Sequence, residues 1–101
     1  MDINKLISET KAKFNYNLAK TYLKEKYQNS LIFADQNGLW KATPELLSRL
    51  ESSKVETLIL IDTYDNPVKV NRESLLQKAH TIYVDATEEY YNEWVELRKQ
   101  R

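Results

Sequence analysis

Residues 31–45 read LIFADQNGLWKATPE and contain, in order, a short apolar run, a turn, a second apolar run and a helix start. The pair Asn37 and Gly38 supplies two residues that tolerate positive φ, as a tight hairpin turn requires. After the second run, Thr43 can cap a helix, and Pro44 suits the first helical position. This stretch therefore predicts a β-hairpin that leads directly into a helix.

The same β-β-α pattern occurs a second time further along the chain. Residues 55–61 are rich in β-branched and large aliphatic side chains, residues 62–67 form a turn, and residues 68–70 return with alternating character. Asn71 then corresponds to Thr43 as the cap of a following helix. Duplication and convergence explain this similarity equally well.

Long segments with helical periodicity flank the two hairpins. In residues 3–27 the apolar side chains recur every three or four positions, and no Gly or Pro interrupts them. Residues 72–98 carry a broader apolar stripe with the same period. We therefore expect helices over residues 3–27, 44–53 and 72–98, and hairpins over residues 31–42 and 55–70.

These segments together predict an α+β fold with the element order α-β-β-α-β-β-α. Two hairpins side by side would form one four-stranded antiparallel sheet, packed against two long helices and one short helix. The length of 101 residues suits a single domain with one modest core, so we expect residues 1–101 to form one domain. Helices of about 25 residues are about 37 Å long, so we expect their ends to project beyond such short strands.

The composition excludes several classes of functional site. With no Cys, one His and one Gly, the chain cannot build a thiolate metal site, a cysteine nucleophile or a glycine-rich phosphate loop. The first residues lack the basic-then-apolar pattern of a signal peptide, and no segment is apolar enough to span a membrane. We therefore predict a cytoplasmic protein that is not an enzyme, with no catalytic residues, no metal site and no cofactor.

Carboxylates are the remaining route to chemistry. Asp35, Asp62 and Asp65 fall at hairpin ends, where they would converge on a hard cation such as Mg²⁺ if the hairpins align. An Asp before a turn more commonly accepts hydrogen bonds from nearby backbone N–H groups, and we favour that interpretation while leaving the cation site open. The single histidine, His80, has no second His for a metal pair, and its position beside the apolar stripe is typical of a structural or solvated residue.

Charge is balanced overall but uneven along the chain. The 15 basic and 15 acidic residues give a net charge of zero. Residues 1–30 nevertheless carry six Lys against three acidic residues, whereas residues 71–101 carry five basic and six acidic residues. We expect the basic first helix and the acidic last helix to attract each other, either within one chain or between two.

Aromatic side chains and lysines indicate surfaces that bind a partner. Tyr and Trp are favoured at interfaces because they bury a large area and keep a polar tip, although a core between the two long helices would use them equally well. The sequence therefore predicts a protein-interaction module, whose partner is a second copy or another protein. The alternative is a nucleic-acid-binding regulator that uses the Lys-rich first helix. The predicted partner-binding residues are Tyr90, Tyr91, Trp94, Lys13, Lys20 and Lys24.

A further indication comes from the last 40 residues. Residues 62–76 read DTYDNPVKVNRESLL, and Tyr83, Trp94 and the basic end at residues 98–101 follow. This segment resembles small uncharacterised proteins of T4-like tailed phages. The resemblance implies a context, namely a bacterial host's cytoplasm or a virion, with virion assembly or binding of a host protein as the role.

Overall fold

A computed structural model of the chain describes residues 2–99, in which three helices alternate with two β-hairpins. The elements are α1 (Ile3–Ser30), β1 (Ile32–Asp35), β2 (Gly38–Lys41), α2 (Pro44–Ser52), β3 (Thr57–Ile61), β4 (Pro67–Asn71) and α3 (Arg72–Lys99). Their order is the one predicted from the sequence, and the mixture of helices and antiparallel hairpins is α+β. Met1 and residues 100–101, the latter part of the basic end noted above, lie outside the described residues.

The first hairpin turns one residue earlier than the Asn-Gly pair predicted. Asp35 pairs with Gly38, so the two loop residues are Gln36 and Asn37, with φ of 50° and 64°. Positive φ at both loop positions is characteristic of the tight turn that matches the twist of a hairpin. Gly38 is the first residue of β2 and has no positive φ. The prediction that the single glycine serves the turn is therefore wrong.

Gly38 is required instead by its neighbour Trp40. A Cβ atom at position 38 would lie 2.5 Å from Cζ2 of the Trp40 indole, far inside van der Waals contact. The indole has little freedom to move away, because Trp40 is buried and its Nε1–H donates to the Asp35 carbonyl oxygen at 2.8 Å. Only a residue without a side chain fits beneath this ring.

The two hairpins do not join into the predicted four-stranded sheet. β1 pairs only with β2, and β3 only with β4, in two separate antiparallel pairs. The backbone groups of Leu39 bond to the turn after β3 rather than to another strand. Leu39 N–H donates to Asp62 Oδ2 at 3.1 Å, and the Leu39 carbonyl accepts from Thr63 N–H at 2.9 Å.

A second link between the hairpins uses a side-chain amide. The Gln36 Oε1 atom accepts from the backbone N–H of Asn71 at 2.6 Å, and Gln36 Nε2 donates to the Asn71 carbonyl at 3.3 Å. The amide of Gln36 thus satisfies both backbone groups of Asn71, as a neighbouring strand would. Because a side chain and a turn take the place of strand pairing, the hairpins are joined without a continuous ladder.

The core is built by the hairpins, α2 and the first half of α3. Leu50, Leu75 and Val70 are its largest fully buried side chains. None of the residues of α1 is fully buried. The remaining buried apolar residues are Leu31, Phe33, Trp40, Ala42, Leu47, Leu60, Ala79 and Ala86.

The second hairpin runs into α3 without a linker. β4 ends at Asn71 and α3 begins at Arg72. The Asn71 Oδ1 atom accepts from Ser74 N–H at 2.9 Å, in the manner of a helix cap. The Arg72 guanidinium donates to the carbonyl oxygens of Val55 and Leu50 at 2.9 and 3.0 Å, which fixes the start of α3 to the end of α2 and the following loop.

Replacing Gly38 with Ala tests the close contact with the indole. We expect Gly38→Ala to lower the free energy of unfolding by about 1–3 kcal/mol, because the added methyl group overpacks a buried site. Urea unfolding followed by circular dichroism measures the change. The control Asn37→Gly places glycine at a position with positive φ, where it fits without strain. Equal effects of the two substitutions would contradict the steric explanation.

Candidate interaction surface

The two long helices meet along an aromatic seam. The rings of Tyr27 and Tyr90 stack with their centroids 4.6 Å apart and their planes inclined by 17°. The Tyr27 hydroxyl also lies 3.0 Å from the Thr87 hydroxyl oxygen, a hydrogen bond in which either group can donate. Ala86, buried in the same seam, allows the helices to approach closely. Tyr90, one of the predicted partner-binding residues, therefore contacts the chain's own α1.

The charges of the two helices also meet within one chain. Lys26 Nζ lies 2.5 Å from Glu93 Oε1 and 3.4 Å from Glu89 Oε1. The hydrogen bond to Glu93 raises the pKa of Lys26, with a smaller contribution from Glu89 and with desolvation acting in the opposite direction. A raised lysine pKa means that the pairing is complete at neutral pH and is lost only as the pH rises through that pKa. The attraction expected from the sequence thus acts intramolecularly at this point.

The seam occupies only the C-terminal part of α1. Its pairs run in opposite directions, since Tyr27 meets Tyr90 while the groove between the helices joins Ala19 and Leu23 to Leu97. These contacts lie at residues 19–30 of α1, Tyr16 lies on the same side of the helix, and the helix continues from there to its N-terminal end at Ile3. We call residues 3–18 the α1 arm. At about 1.5 Å per residue the arm is about 24 Å long, which agrees with the elongated molecule of 67 × 24 × 18 Å.

Large apolar side chains on the arm are exposed to solvent. Four of them have between 54% and 71% of their surface exposed, and they lie on one side of the helix because each residue advances by about 100°. Leu6, also exposed, borders them. We call the four residues the apolar stripe; they are Ile3, Ile7, Phe14 and Leu18.

The apolar stripe lies on the opposite side of α1 from α3. The half-buried residues of the seam side follow each other at helical spacing, and their positions are rotated by about half a turn from the stripe. The sequence pattern predicts a single apolar face for α1, because apolar residues on both sides of the helix follow one another at spacings of three and four positions. The seam-side residues are Tyr16, Ala19, Leu23 and Tyr27.

The three lysines predicted to contact a partner share one edge of α1. Lys13, Lys20 and Lys24 are separated by seven and four positions, so they fall on the same side, between the apolar stripe and the seam. All three are exposed, and none forms an ion pair with another described residue. This edge of α1 therefore carries three exposed lysines that form no ion pair with the described residues.

The predicted aromatic residues on α3 divide between the seam and the surface. Tyr91 is 63% exposed, whereas Trp94 is half-buried with the Arg98 guanidinium carbon 5.4 Å from its ring centroid. With Tyr90 and Thr87 they line a shallow depression of about 310 Å³. None of the lysines described above lines it. The structure thus brings the aromatic residues together and leaves the lysines on a different helix.

Asp62 is buried and bonded to backbone. Its carboxylate accepts from the N–H groups of Leu39, Tyr64 and Asn66 at 3.0–3.1 Å. These bonds, with the one from Asn66 the strongest, lower the pKa of Asp62 although burial opposes them. The interpretation of an aspartate that accepts backbone hydrogen bonds at a turn is therefore confirmed for Asp62, and Asp65 adopts a φ of 62° within the same turn.

Other candidate chemistry is dispersed over the surface. Within residues 2–99 no three His, Cys, Asp or Glu side chains lie close enough together to hold a metal ion. His80 is exposed on α3, and Asp35 Oδ2 is 3.4 Å from the side-chain amide of Gln36. None of the helices described is long and apolar enough to cross a membrane.

Comparison of the chain with family models, curated proteins and solved structures gives no match.

The seam predicts different effects for two adjacent tyrosines. We expect Tyr90→Ala to lower the free energy of unfolding by about 1–3 kcal/mol, since it removes a stacked and half-buried ring. Tyr91→Ala, the matched control, changes an exposed residue and is expected to cost less than about 0.5 kcal/mol. Urea unfolding at low protein concentration compares them. Equal losses would show that the stacking does not hold the helices together.

The lowered pKa of Asp62 predicts a pH-dependent contribution to stability. The native carboxylate stabilises the fold above the unfolded-state pKa of about 3.9, and this contribution is lost as the pH falls through the native pKa. We therefore expect Asp62→Asn to lower the Tm at pH 7, with the difference from wild type shrinking below about pH 4. Asp65→Asn, in the same turn but exposed, is the control. A Tm difference independent of pH would contradict the assignment.

Proposed function

We propose that this chain is a non-enzymatic protein-interaction module that binds its partner through the apolar stripe of the α1 arm. In the context implied by the phage resemblance, it acts as a small virion or assembly component or as a binder of a host protein, in the host cytoplasm or the virion. The observation that carries the proposal is the stripe itself, which consists of four large apolar side chains exposed on the side of α1 that faces away from α3.

The energetics of the arm favour a partner. Burying a large apolar side chain contributes about 1.5–3 kcal/mol, and the four side chains of the stripe lie on one side of α1, in two pairs separated by Thr10 and Lys11. Most of the arm also lies beyond the contacts with α3 described above, and a helical segment of this length is only marginally stable in water by itself. A partner that covers the stripe therefore gains apolar burial and stabilises the arm at the same time.

The absence of enzymatic activity in this proposal is supported by the surroundings of two titratable side chains, Asp62 and His80. Asp62, a buried carboxylate, has its oxygens engaged by three backbone N–H groups. His80 is exposed and belongs to no described cluster of titratable side chains. A catalytic group is instead expected to be held within reach of other groups that set its protonation.

A nucleic-acid-binding regulator is the second candidate. The observation that favours it is the row of Lys13, Lys20 and Lys24, since exposed lysines at helical spacing can contact successive phosphates. The net charge of zero weighs against it, because nucleic-acid-binding domains are usually strongly basic. Apolar side chains beside the lysines are better explained by a protein partner.

Substitution of the stripe tests the proposal. Wild-type protein, immobilised at its C-terminus, is incubated with bacterial lysate and separately with soluble protein of the same sequence. We expect Ile7→Glu combined with Phe14→Glu to abolish retention of whatever protein the wild type binds, because two charges would have to enter the apolar contact. The control Ser8→Glu with Asn15→Glu adds the same charge to exposed positions beside the stripe and is expected to retain binding.

The same proteins distinguish the two candidates. Fluorescence anisotropy with mixed single- and double-stranded oligonucleotides at low salt is expected to show no binding. Oligonucleotide binding that is lost when Lys13, Lys20 and Lys24 are changed to Gln would favour the regulator. If neither the lysate nor the soluble chain yields a protein whose retention depends on the stripe, the interaction module is excluded.

A further inference from the structure

We infer that two copies of this chain pair through β3, antiparallel about a two-fold axis at Ile59, so that their second hairpins form one sheet across both copies with the strand order β4, β3, β3, β4. This surface lies on a different element from the apolar stripe, so the inference stands independently of the proposed function. Its support is the free hydrogen-bonding edge of β3 and the side chains beside that edge.

The backbone hydrogen bonds at the two ends of the second hairpin determine which groups of β3 point outward. Asp62 N–H donates to the Asn66 carbonyl at 3.0 Å, and Arg72 N–H donates to the Glu56 carbonyl at 2.9 Å. Because bonded and non-bonded pairs alternate along an antiparallel ladder, both bonds place the even-numbered residues of β3 in the bonded pairs. The odd-numbered residues direct their N–H and C=O groups away from β4. We call these residues the β3 edge; they are Thr57, Ile59 and Ile61.

The β3 edge is free over its whole length and is bounded at both ends. Within residues 2–99, no group forms a hydrogen bond with its outward N–H and C=O groups. Before the edge, the Val55 carbonyl accepts from the Arg72 guanidinium at 2.9 Å. After the edge, Thr63 N–H donates to the Leu39 carbonyl at 2.9 Å. The free groups therefore extend equally on either side of Ile59.

The edge of β4, in contrast, is occupied and protected. The Gln36 amide bonds both backbone groups of Asn71, so the first hairpin lies on that side. β4 also contains Pro67 and Lys69, which are residue types that discourage strand pairing at a sheet edge. β3 reads TLILI, with no charge and no proline, and it pairs with β4 without a bulge. An unprotected edge of this kind is a template for a further strand.

A second copy supplies the strand that the β3 edge requires. In an antiparallel pair centred on Ile59, that residue lies level with itself and Thr57 lies level with Ile61 of the second copy. Each edge residue then donates one hydrogen bond to the other copy and accepts one. Other antiparallel registers place an end of the edge opposite Thr63 or Val55, each of which has a backbone group already bonded. A two-fold interface uses the same patch on both copies, and this register alone satisfies all three residues of each edge.

The side chains beside the edge suit a contact with a second copy. Ile59 and Ile61 are 66% and 62% exposed on the outer face of the hairpin, and pairing places them against β-branched side chains of the other copy. On the inner face, Leu58 is half-buried and lies level with Leu60 of the second copy. A single two-stranded hairpin is marginally stable in water, and additional strands stabilise it. Pairing therefore adds both apolar burial and backbone hydrogen bonds.

The charges near β3 are compatible with this pairing. Lys69, which lies opposite Ile59 on β4, is separated from its counterpart by both copies of β3. Just beyond the paired residues, Glu56 lies level with Asp62 of the second copy. The Asp62 carboxylate is buried and held by three backbone N–H groups, whereas Glu56 is exposed to solvent. Like charges are therefore not opposed within the paired strands.

Sedimentation equilibrium tests the dimer. We expect wild-type protein to pass from 12.0 kDa to twice that mass as its concentration rises. Ile59→Glu is expected to weaken dimerisation by about tenfold or more, because two carboxylates would meet at the two-fold axis. Within one chain the introduced carboxylate lies opposite Lys69, a favourable cross-strand pair, so the fold is expected to be retained.

Val55→Glu is the matched control, since it introduces the same charge at an exposed apolar residue outside the β3 edge. It is expected to dimerise like the wild type. A wild type that stays monomeric at millimolar concentration, or equal dimerisation of the two variants, would overturn the inference.

Amide hydrogen exchange followed by NMR tests the register residue by residue. The N–H groups of Leu58 and Leu60 bond within the hairpin, so their protection is expected at every protein concentration and reports an intact fold in each variant. The N–H groups of the β3 edge are expected to become protected only as the dimer forms. A dimer that leaves them unprotected would overturn the inference. Protection that appears only after a different protein is added would identify a foreign strand and would likewise overturn the pairing of two copies.

A pair of double variants tests the antiparallel orientation. Thr57→Lys combined with Ile61→Glu places opposite charges level with each other in an antiparallel pair and like charges level in a parallel pair. The control Thr57→Glu with Ile61→Glu opposes like charges in either orientation. We expect the first double variant to dimerise more tightly than the control. Equal association of the two would contradict the antiparallel pairing.

Discussion

The direction of α1 depends on the seam that this helix forms with α3, at the centre of which the ring of Tyr27 stacks on that of Tyr90. Because α1 contributes no fully buried residue, the apolar core does not fix this helix by itself. The seam holds the last turns of α1 while the hydrogen bond to Thr87 and the ion pairs of Lys26 border the rings. The seam therefore sets the direction in which the arm leaves the rest of the molecule.

Local signals in the sequence were sufficient for the order of elements. Thr43 caps α2 through a hydrogen bond from Leu46 N–H, as its position before Pro44 predicted. The joining of the two hairpins was not predictable in the same way. It depends on the Gln36 amide and on the Asp62 carboxylate, and polar side chains that take the place of a strand leave no periodic pattern. The alternation of side chains along the strands therefore predicted one four-stranded sheet, where the structure has two separate hairpins.

The sequence predicts which residue types could form the candidate surface, but not where they lie on the folded chain. Their chemistry predicts the lysines and aromatic residues as partner contacts, yet Tyr90 belongs to the seam while the adjacent Tyr91 faces solvent. The apolar residues of α1 were recognised only as one helical pattern. Their division into a seam side and an exposed side depends on where α3 packs, and sequence spacing does not contain the position of a second helix.

The direct connection between β4 and α3 has a mechanical consequence. Asn71 passes into Arg72 without a linker, and Arg72 is bonded to Val55 and Leu50, so the position of α3 is tied to both the second hairpin and the end of α2. Because no loop separates β4 from α3, a displacement of the far end of α3 would also displace the second hairpin.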